Sequence, residues 1–189
     1  LFPSSNRLRR LVSCRVNRAK QNACETSPNC ESTSLADLAQ DVIQKFRLQA
    51  ENSNIRLRLE VHGSLPFVYA DIGLIDRVLE NLISNATQHT GQGDAIKISL
   101  TQAADAIELQ VRDNGCGIST EELPNIFNRF YQADNRHRSG HGAGLGLAIS
   151  QKIIQLHHSR IRVTSTINEG TVFSFMLPIA DQGTSRPLL

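Results

Sequence analysis

The stretch "RVLENLISNATQHT", residues 77–90, predicts an amphipathic helix that carries an unusual polar stripe. Asn81 and Asn85 lie four positions apart, which advances a helix by only about 40°, so both amides project from one face. Surface helices usually carry Lys and Glu on such a face, and asparagine is an indifferent helix former. The other side is apolar and contains Ile75, Leu79, Leu82, Ile83 and Ala86. Taken alone, the stripe is either a solvated face or a binding surface.

The composition of the 189 residues indicates a globular domain and argues against nucleic-acid binding. Twenty basic and 18 acidic residues give a net charge of +2, tryptophan is absent, and no basic run has interleaved aromatics. The length is sufficient for one domain with a sizeable core. No apolar run approaches the roughly 18 residues that a membrane span needs. We therefore expect a cytoplasmic chain that contacts a membrane only through segments upstream of it.

The four cysteines predict free thiols in a reducing compartment. Cys14, Cys24, Cys30 and Cys116 form no C-x-x-C pair, so neither a zinc site nor a redox motif is indicated.

The pattern divides the chain into three parts. Residues 1–33 are polar and weakly patterned, and they either continue a helix from upstream or are partly disordered. Residues 34–180 form the predicted domain, which opens with a helix capped by Ser34 and Asp37. The tail, residues 181–189, is expected to be flexible.

Alternating apolar residues predict several strands within this domain. The strands are expected around "NIRLRLEV" (54–61), "PFVYA" (66–70), "AIKISL" (95–100), "AIELQV" (106–111), "RIRVTST" (160–166) and "TVFSFMLP" (171–178). Asp71 is a predicted cap for the asparagine helix, a short helix is expected at 119–127, and another long helix at 143–158. The predicted fold class is an α/β sandwich, with one mixed, mostly antiparallel sheet and helices packed on one face.

The segment "DNGCG", residues 113–117, follows a predicted strand directly. An ionised Asp113 offers hydrogen-bond acceptors, and Gly115 and Gly117 allow the backbone to turn sharply and approach a ligand. The same pattern also occurs in ordinary tight turns.

A second glycine-rich segment, "GHGAGLGLAIS" at residues 140–150, leads straight into a helix. Glycines at a helix N-terminus expose N–H groups that favour phosphate. The spacing differs from the dinucleotide fingerprint because Leu147 stands where the third glycine would be, and no G-K-[ST] follows. A glycine-rich hinge is the alternative interpretation.

Between the two segments lies a polar stretch that either covers an anionic ligand as a lid or is a plain solvated loop. It begins with Phe127 and Phe130 and contains the basic residues Arg129, Arg136, His137, Arg138 and His141.

The four motifs together, N-x-x-x-N, D-x-G-x-G, F-x-x-F and G-x-G-x-G in this order, resemble the N, G1, F and G2 boxes of the ATP-binding domain of sensor histidine kinases. That domain belongs to the wider group of gyrase, MutL and heat-shock chaperone ATPases with the Bergerat-type fold. The resemblance covers about residues 34–179 and includes the closing "EGTVFSFMLP". It implies ATP and Mg²⁺ as cofactors, with Asn81 and Asn85 facing the triphosphate and Asn85 holding the metal.

The resemblance also assigns roles to the other motif residues. Asp113 is expected to accept a hydrogen bond from the adenine amino group, with Gly115, Gly117 and Ile118 shaping the pocket. Phe127 and Phe130 are expected to anchor the lid, and Arg129 to steady the γ-phosphate. The residues expected around the phosphates are Gly142, Ala143, Gly144, Leu145, Gly146 and Leu147. Two positions depart from the family: Gln88 stands where Lys or Arg is frequent, and His89 where an aromatic is frequent.

The resemblance implies a protein histidine kinase rather than a hydrolase. The hydrolysing relatives carry Glu where this chain has Asn81, which cannot act as a base toward water, and Glu80 is rotated by about 100° around the helix. The expected acceptor histidine lies outside the chain, on an upstream or partner dimerisation domain, and residues 1–20 resemble the end of its second helix. A response regulator and a homodimer are the implied partners. The alternative is an ATP-binding regulatory module or an anti-sigma-like serine kinase.

Overall fold

The computed structural model describes residues 27–132 and 144–180, and these form three helices and seven strands. The helices are α1 (Leu35–Asn52), α2 (Ile72–His89) and α3 (Gly146–Leu156). The strands are β1 (Glu31–Thr33), β2 (Arg56–His62), β3 (Val68–Ala70), β4 (Ala95–Ala103), β5 (Ala106–Asp113), β6 (Arg162–Thr166) and β7 (Gly170–Pro178). The predictions for residues 1–26 and 181–189, and part of the predicted lid, fall outside the described residues.

Five of the strands form one sheet in the order β2-β4-β5-β7-β6. The β2–β4 pair is parallel, and the other three pairs are antiparallel. The mixed, mostly antiparallel sheet predicted from the sequence is therefore confirmed. The β4–β5 hairpin is tighter than predicted, because the two strands extend until only Ala104 and Asp105 remain between them.

The core lies between one face of this sheet and the helices. Side chains alternate along β4 and β5 between buried and more exposed positions, as expected for a sheet covered on one face. The sheet buries Ile96, Ile98, Leu100, Ile107, Leu109, Phe173 and Phe175, and α2 buries Ile75, Leu79, Leu82 and Ile83. This arrangement is the predicted α/β sandwich, and it leaves the polar stripe of α2 off the core.

Two of the helices begin at the predicted capping residues. Ser34 Oγ accepts from Asp37 N at 3.3 Å at the start of α1, and Asp71 Oδ1 accepts from Leu74 N at 3.0 Å at the start of α2. Each side chain satisfies an N–H group that a helix start leaves without a partner.

Three elements differ from the sequence-based expectation. The helix predicted at 143–158 is shorter, since α3 begins at Gly146 and ends at Leu156. The helix predicted at 119–127 is wrong in extent, because the structure has only a single 3-10 turn at Leu123–Asn125, with Pro124 inside it. A further strand, β1, precedes α1 and pairs antiparallel with β3 as a separate two-stranded sheet. Among the described residues, no helix is both long and apolar enough to cross a membrane.

Candidate functional site

Asp113 is the last residue of β5 and lies between two neighbouring strands, opposite Ile96 of β4 and Thr171 of β7. Its side chain is buried, and Oδ1 accepts from Gly115 N at 3.0 Å and from Thr171 N at 3.3 Å. Both backbone donors hold the same oxygen. The second carboxylate oxygen accepts from no described donor and is the atom that can face a ligand.

The surroundings of Asp113 change its ionisation. Burial raises the pKa of the carboxyl above its ordinary value, because the charged form loses its hydration. The backbone N–H groups of Gly115 and Thr171, together with the charge of His89, oppose that rise in pKa. The site therefore holds a hydrogen-bond acceptor, the Asp113 carboxyl, at a position largely shielded from water.

The glycines after Asp113 are needed because the chain passes close to other backbone. A Cβ on Gly115 would lie 2.2 Å from the carbonyl oxygen of His89, at the end of α2. Gly117 has φ +69°, and a Cβ there would lie 2.1 Å from the carbonyl oxygen of Thr166. Ile118 N then donates to Ser165 Oγ at 2.8 Å. The loop is thus held between α2 and the β6–β7 hairpin, and the pocket-shaping role expected of Gly115, Gly117 and Ile118 stays a prediction.

The polar stripe of α2 extends from Asn81 to His89, which is about 12 Å along the helix. Asn85 and His89 are half-buried, and Gln88 is exposed. Asn85 makes no side-chain hydrogen bond to any described residue, so its amide is available for a ligand, and the metal role predicted for it stays a prediction. Gln88 only approaches Ser84 Oγ, at 3.5 Å.

The start of α3 lies beside this stripe. Asn81 Nδ2 donates to the carbonyl oxygen of Gly146 at 3.2 Å and to Ser150 Oγ at 3.2 Å. Leu145 is the N-cap residue and cannot accept a hydrogen bond through its side chain, and the first turn holds no acidic residue. Unlike α1 and α2, α3 therefore begins without a capping side chain from any described residue, and the first N–H groups of such a helix can bind an anion.

The chain segments on either side of positions 133–143 contact each other. Gly144 has φ +64°, and its carbonyl oxygen accepts from Phe130 N at 2.8 Å. A Cβ on Gly144 would lie 2.8 Å from Phe130 C and from the carbonyl oxygen of Tyr131, so this position requires glycine. The predicted site residues Gly142 and Ala143 lie outside the described residues, as do Arg136, His137, Arg138 and His141.

The two phenylalanines predicted to anchor the lid have different surroundings, since one packs on the core and the other is exposed. Phe127 packs on the core and meets the Phe173 ring edge-to-face, with centroids 6.4 Å apart. Phe130 is 68% exposed and adopts φ +65°, so its side chain anchors nothing within the described residues. Arg129 is exposed, and Leu147 packs against the core.

Several polar residues of the site were not predicted from the sequence. Thr171 is buried beside Asp113, and its Oγ1 lies 3.0 Å from Ser165 Oγ. Gly170 has φ +108°, and a Cβ there would lie 2.0 Å from the carbonyl oxygen of Asp113. Gly170 and Thr171 could have been predicted from the Gly-Thr pair at the start of the last predicted strand. Ser150 gave no signal, because its role depends on a partner 69 positions away.

The donors present fit a nucleotide-bound Mg²⁺ better than a metal held by the protein alone. No group of three or more His, Cys, Asp or Glu side chains among the described residues could hold a metal ion. Asn81 and Asn85 offer amide oxygens, which are hard ligands. Mg²⁺ is typically bound by one or two protein oxygens together with phosphates and water.

Comparisons with known proteins agree with this geometry. The model for histidine kinase-, DNA gyrase B-, and HSP90-like ATPases matches residues 70–181. The sensor protein SrrB of Staphylococcus aureus is 37% identical over 179 residues, which are 94% of this chain and 30% of SrrB. The chain thus spans about 30% of the length of the curated relatives it matches.

Solved structures give the same assignment. The catalytic domain of the histidine kinase ThkA is 30% identical, with a TM-score of 0.70 over 80% of this chain and 96% of that domain. ThkA in complex with the response regulator protein TrrA is 26% identical, with a TM-score of 0.74 over 95% of this chain and 53% of that chain. The predicted fold and family are therefore confirmed. The chain belongs to the histidine kinase-, DNA gyrase B- and HSP90-like ATPase family, as a catalytic ATP-binding domain of the sensor histidine kinase type.

Proposed function

We propose that this chain binds Mg²⁺–ATP and donates the γ-phosphoryl group to a histidine on an upstream or partner dimerisation domain. The observation that carries the proposal is the line of groups along α2. Asp113 lies beside the end of α2 at His89, Asn85 is in the middle, and Asn81 contacts the uncapped start of α3. In this proposal, Asp113 accepts from the adenine at one end of this line, and the start of α3 binds phosphate at the other.

The site lacks a group that would activate water among the described residues. Asn81 stands where the hydrolysing relatives carry Glu, and an amide has no useful basicity. Glu80 is occupied on the other side of α2, where its Oε1 lies 2.9 Å from Lys45 Nζ of α1. A site of this kind favours transfer to an external nucleophile through orientation and charge neutralisation.

Mg²⁺ bound with the nucleotide would be held by the Asn85 amide oxygen and the phosphates, and it would neutralise charge that develops during phosphoryl transfer. Gln88 and His89 would contact the nucleotide as polar groups where the family frequently has a cation and an aromatic. Arg129 is exposed and unpaired among the described residues, so it is available for the γ-phosphate.

The proposed partners are a dimerisation domain that carries the acceptor histidine and a response regulator. SrrB is a sensor protein, and ThkA forms a complex with the response regulator TrrA. Of the histidines in the described residues, His157 is buried and bonded through both ring nitrogens, which makes it a poor acceptor. We place residues 34–180 in the ATP-binding domain and the domain in the cytoplasm, where Cys30 and Cys116 would remain thiols.

The test uses the full chain fused to a helical hairpin that carries the acceptor histidine. With labelled ATP and Mg²⁺, we expect acid-labile phosphate on the hairpin, and none on the chain incubated alone. Asn85→Ala should abolish most of the transfer and the Mg²⁺-dependent rise in melting temperature, because it removes the metal ligand. The fold should survive, since substitutions of exposed or half-exposed residues usually change stability by about 0.5 kcal/mol or less.

Asn52→Ala is the matched control, since it removes the same amide from an exposed helical position outside the site. It should leave binding and transfer unchanged. Full transfer and a full Mg²⁺ effect in Asn85→Ala would mean that the stripe is only a solvated face, and the kinase proposal would lose its main support.

A further inference from the structure

Ser150 is fully buried in the second turn of α3 and joins this helix to α2. Its Oγ donates to the carbonyl oxygen of Gly146 at 3.0 Å, and the same two oxygens accept from Asn81 Nδ2, each at 3.2 Å. Ser150 thus belongs to a three-residue network at the start of α3. Neither the sequence motifs nor the proposed function assigns it a role.

The network fixes which way the Asn81 amide points. A backbone carbonyl can only accept, so the nitrogen of the amide must face Gly146. The single proton of Ser150 is used toward Gly146, which leaves the hydroxyl oxygen to accept from the amide nitrogen of Asn81. Both acceptors that Asn81 Nδ2 contacts therefore lie on α3, and Asn81 Oδ1 has no donor among the described residues.

We infer that Ser150 is a positioning residue that keeps the oxygen of Asn81, rather than its N–H groups, turned toward the nucleotide metal. The inference rests on the proposed function. An amide oxygen can bind Mg²⁺ or one of its waters, whereas an amide N–H cannot. Without the Ser150 hydroxyl, Asn81 keeps only the Gly146 acceptor, and a rotated amide presents N–H groups to the metal.

The first measurement concerns the protein without nucleotide. Side-chain amide NMR signals of Asn81, identified by their loss in Asn81→Ala, report the two hydrogen bonds directly. Ser150→Ala should shift one of the two Asn81 N–H signals and speed its exchange with solvent. Ser150→Thr, which keeps a hydroxyl, should restore the pattern.

The second measurement compares ATP dissociation constants with and without Mg²⁺. In Ser150→Ala the metal-free constant should change by less than about twofold, while the gain in affinity from Mg²⁺ should fall by about 3- to 10-fold, the range expected for one hydrogen bond. Ser174→Ala on the outer sheet face is the control and should match the original chain in both constants.

Two results would overturn the inference. One is an unchanged Asn81 signal together with an unchanged Mg²⁺ gain in Ser150→Ala. The other is an equal loss of ATP affinity with and without Mg²⁺, which indicates a general structural role. If the original chain itself fails to bind ATP, the proposed function fails instead, and the NMR result still decides whether Ser150 orients Asn81.

Discussion

At the scale of single residues, the two oxygens of the buried Asp113 carboxylate have different surroundings. Gly115 N and Thr171 N both bond to Oδ1, so the fold uses only half of the carboxylate. An asparagine could keep those two bonds through its own oxygen and would place an NH₂ group where the second oxygen now lies. The substitution therefore separates the structural half of the side chain from the half available to a ligand.

Asp113→Asn should weaken ATP binding by about 10-fold or more, because two donors then face each other at the adenine amino group. Calorimetric titration with ATP and GTP measures the change. Asp105→Asn, in the exposed β4–β5 turn, should have no effect. The adenine assignment is wrong if Asp113→Asn keeps the affinity for ATP and the preference for ATP over GTP.

The same substitution should change the pH dependence of stability. Burial raises the folded-state pKa of Asp113 above the unfolded value of about 3.9, so the folded chain loses stability as pH rises from that value through the folded-state pKa. The amide that replaces the carboxyl does not titrate. Asp113→Asn should therefore melt at a higher temperature than the original chain at pH 7 to 8, and the difference should shrink below about pH 4. Equal melting temperatures across this range would contradict the pKa argument.

At the scale of elements, the sequence predicts what local patterns determine. Alternation located the strands of the large sheet, and Ser34 and Asp71 located two helix starts, because capping and periodicity act over a few residues. The three-residue β1 was missed because its only support is pairing with β3, about 37 positions away. The helix at 119–127 was overestimated because Ser119 and Glu122 cap each other around a turn that Pro124 limits to one 3-10 turn.

The site residues also divide into those that local sequence patterns predict and those that depend on distant contacts. The motifs predicted which segments meet, but the contacts of Thr171 with Asp113 and of Ser150 with Asn81 join residues 58 and 69 positions apart. Such contacts depend on how the elements pack, and residue type alone does not reveal them. The glycines fall between these two cases. Their spacing in the sequence predicted the binding loops, whereas the backbone that each glycine approaches is known only from the fold.

Gly117→Ala tests the close approach of the Asp113–Gly117 loop to the β6–β7 hairpin. A Cβ at Gly117 would lie 2.1 Å from the carbonyl oxygen of Thr166, in addition to the strain of φ +69°. Strain and overpacking together should lower the free energy of unfolding by about 2–4 kcal/mol, measured by urea denaturation. Gly93→Ala is the matched control, because its φ is +84° and nothing lies within 4 Å of the added Cβ. That variant should lose only the strain of about 1 kcal/mol, and equal losses in the two variants would exclude a steric role for the close approach.

At the scale of the whole molecule, the sheet face that no helix covers carries a row of basic side chains. The net charge is only +2, yet the register aligns Arg58, Lys97 and Arg112 in one row across β2, β4 and β5 on the face without helices. Lys97 Nζ pairs with Glu60 Oε2 at 3.1 Å, whereas Arg58 and Arg112 form no ion pair with any described residue. Neighbouring strands lie about 4.8 Å apart, so these cations repel one another.

Arg112→Thr should therefore stabilise the fold, because it removes a cation directly opposite Lys97 and introduces a residue that favours strands. Opposed like charges on a sheet cost about 0.2–1 kcal/mol, so we expect a gain of that size in the free energy of unfolding at low ionic strength. Since screening shortens to about 3 Å at 1 M salt, the electrostatic part of the gain should disappear there. Arg162→Thr makes the same substitution on β6 opposite Ser174, where no cation shares the row, so it reports the propensity change without the repulsion. Urea denaturation of both variants at low and high salt measures the difference. If Arg112→Thr gains no more than Arg162→Thr at low salt, the row of cations is not a source of instability.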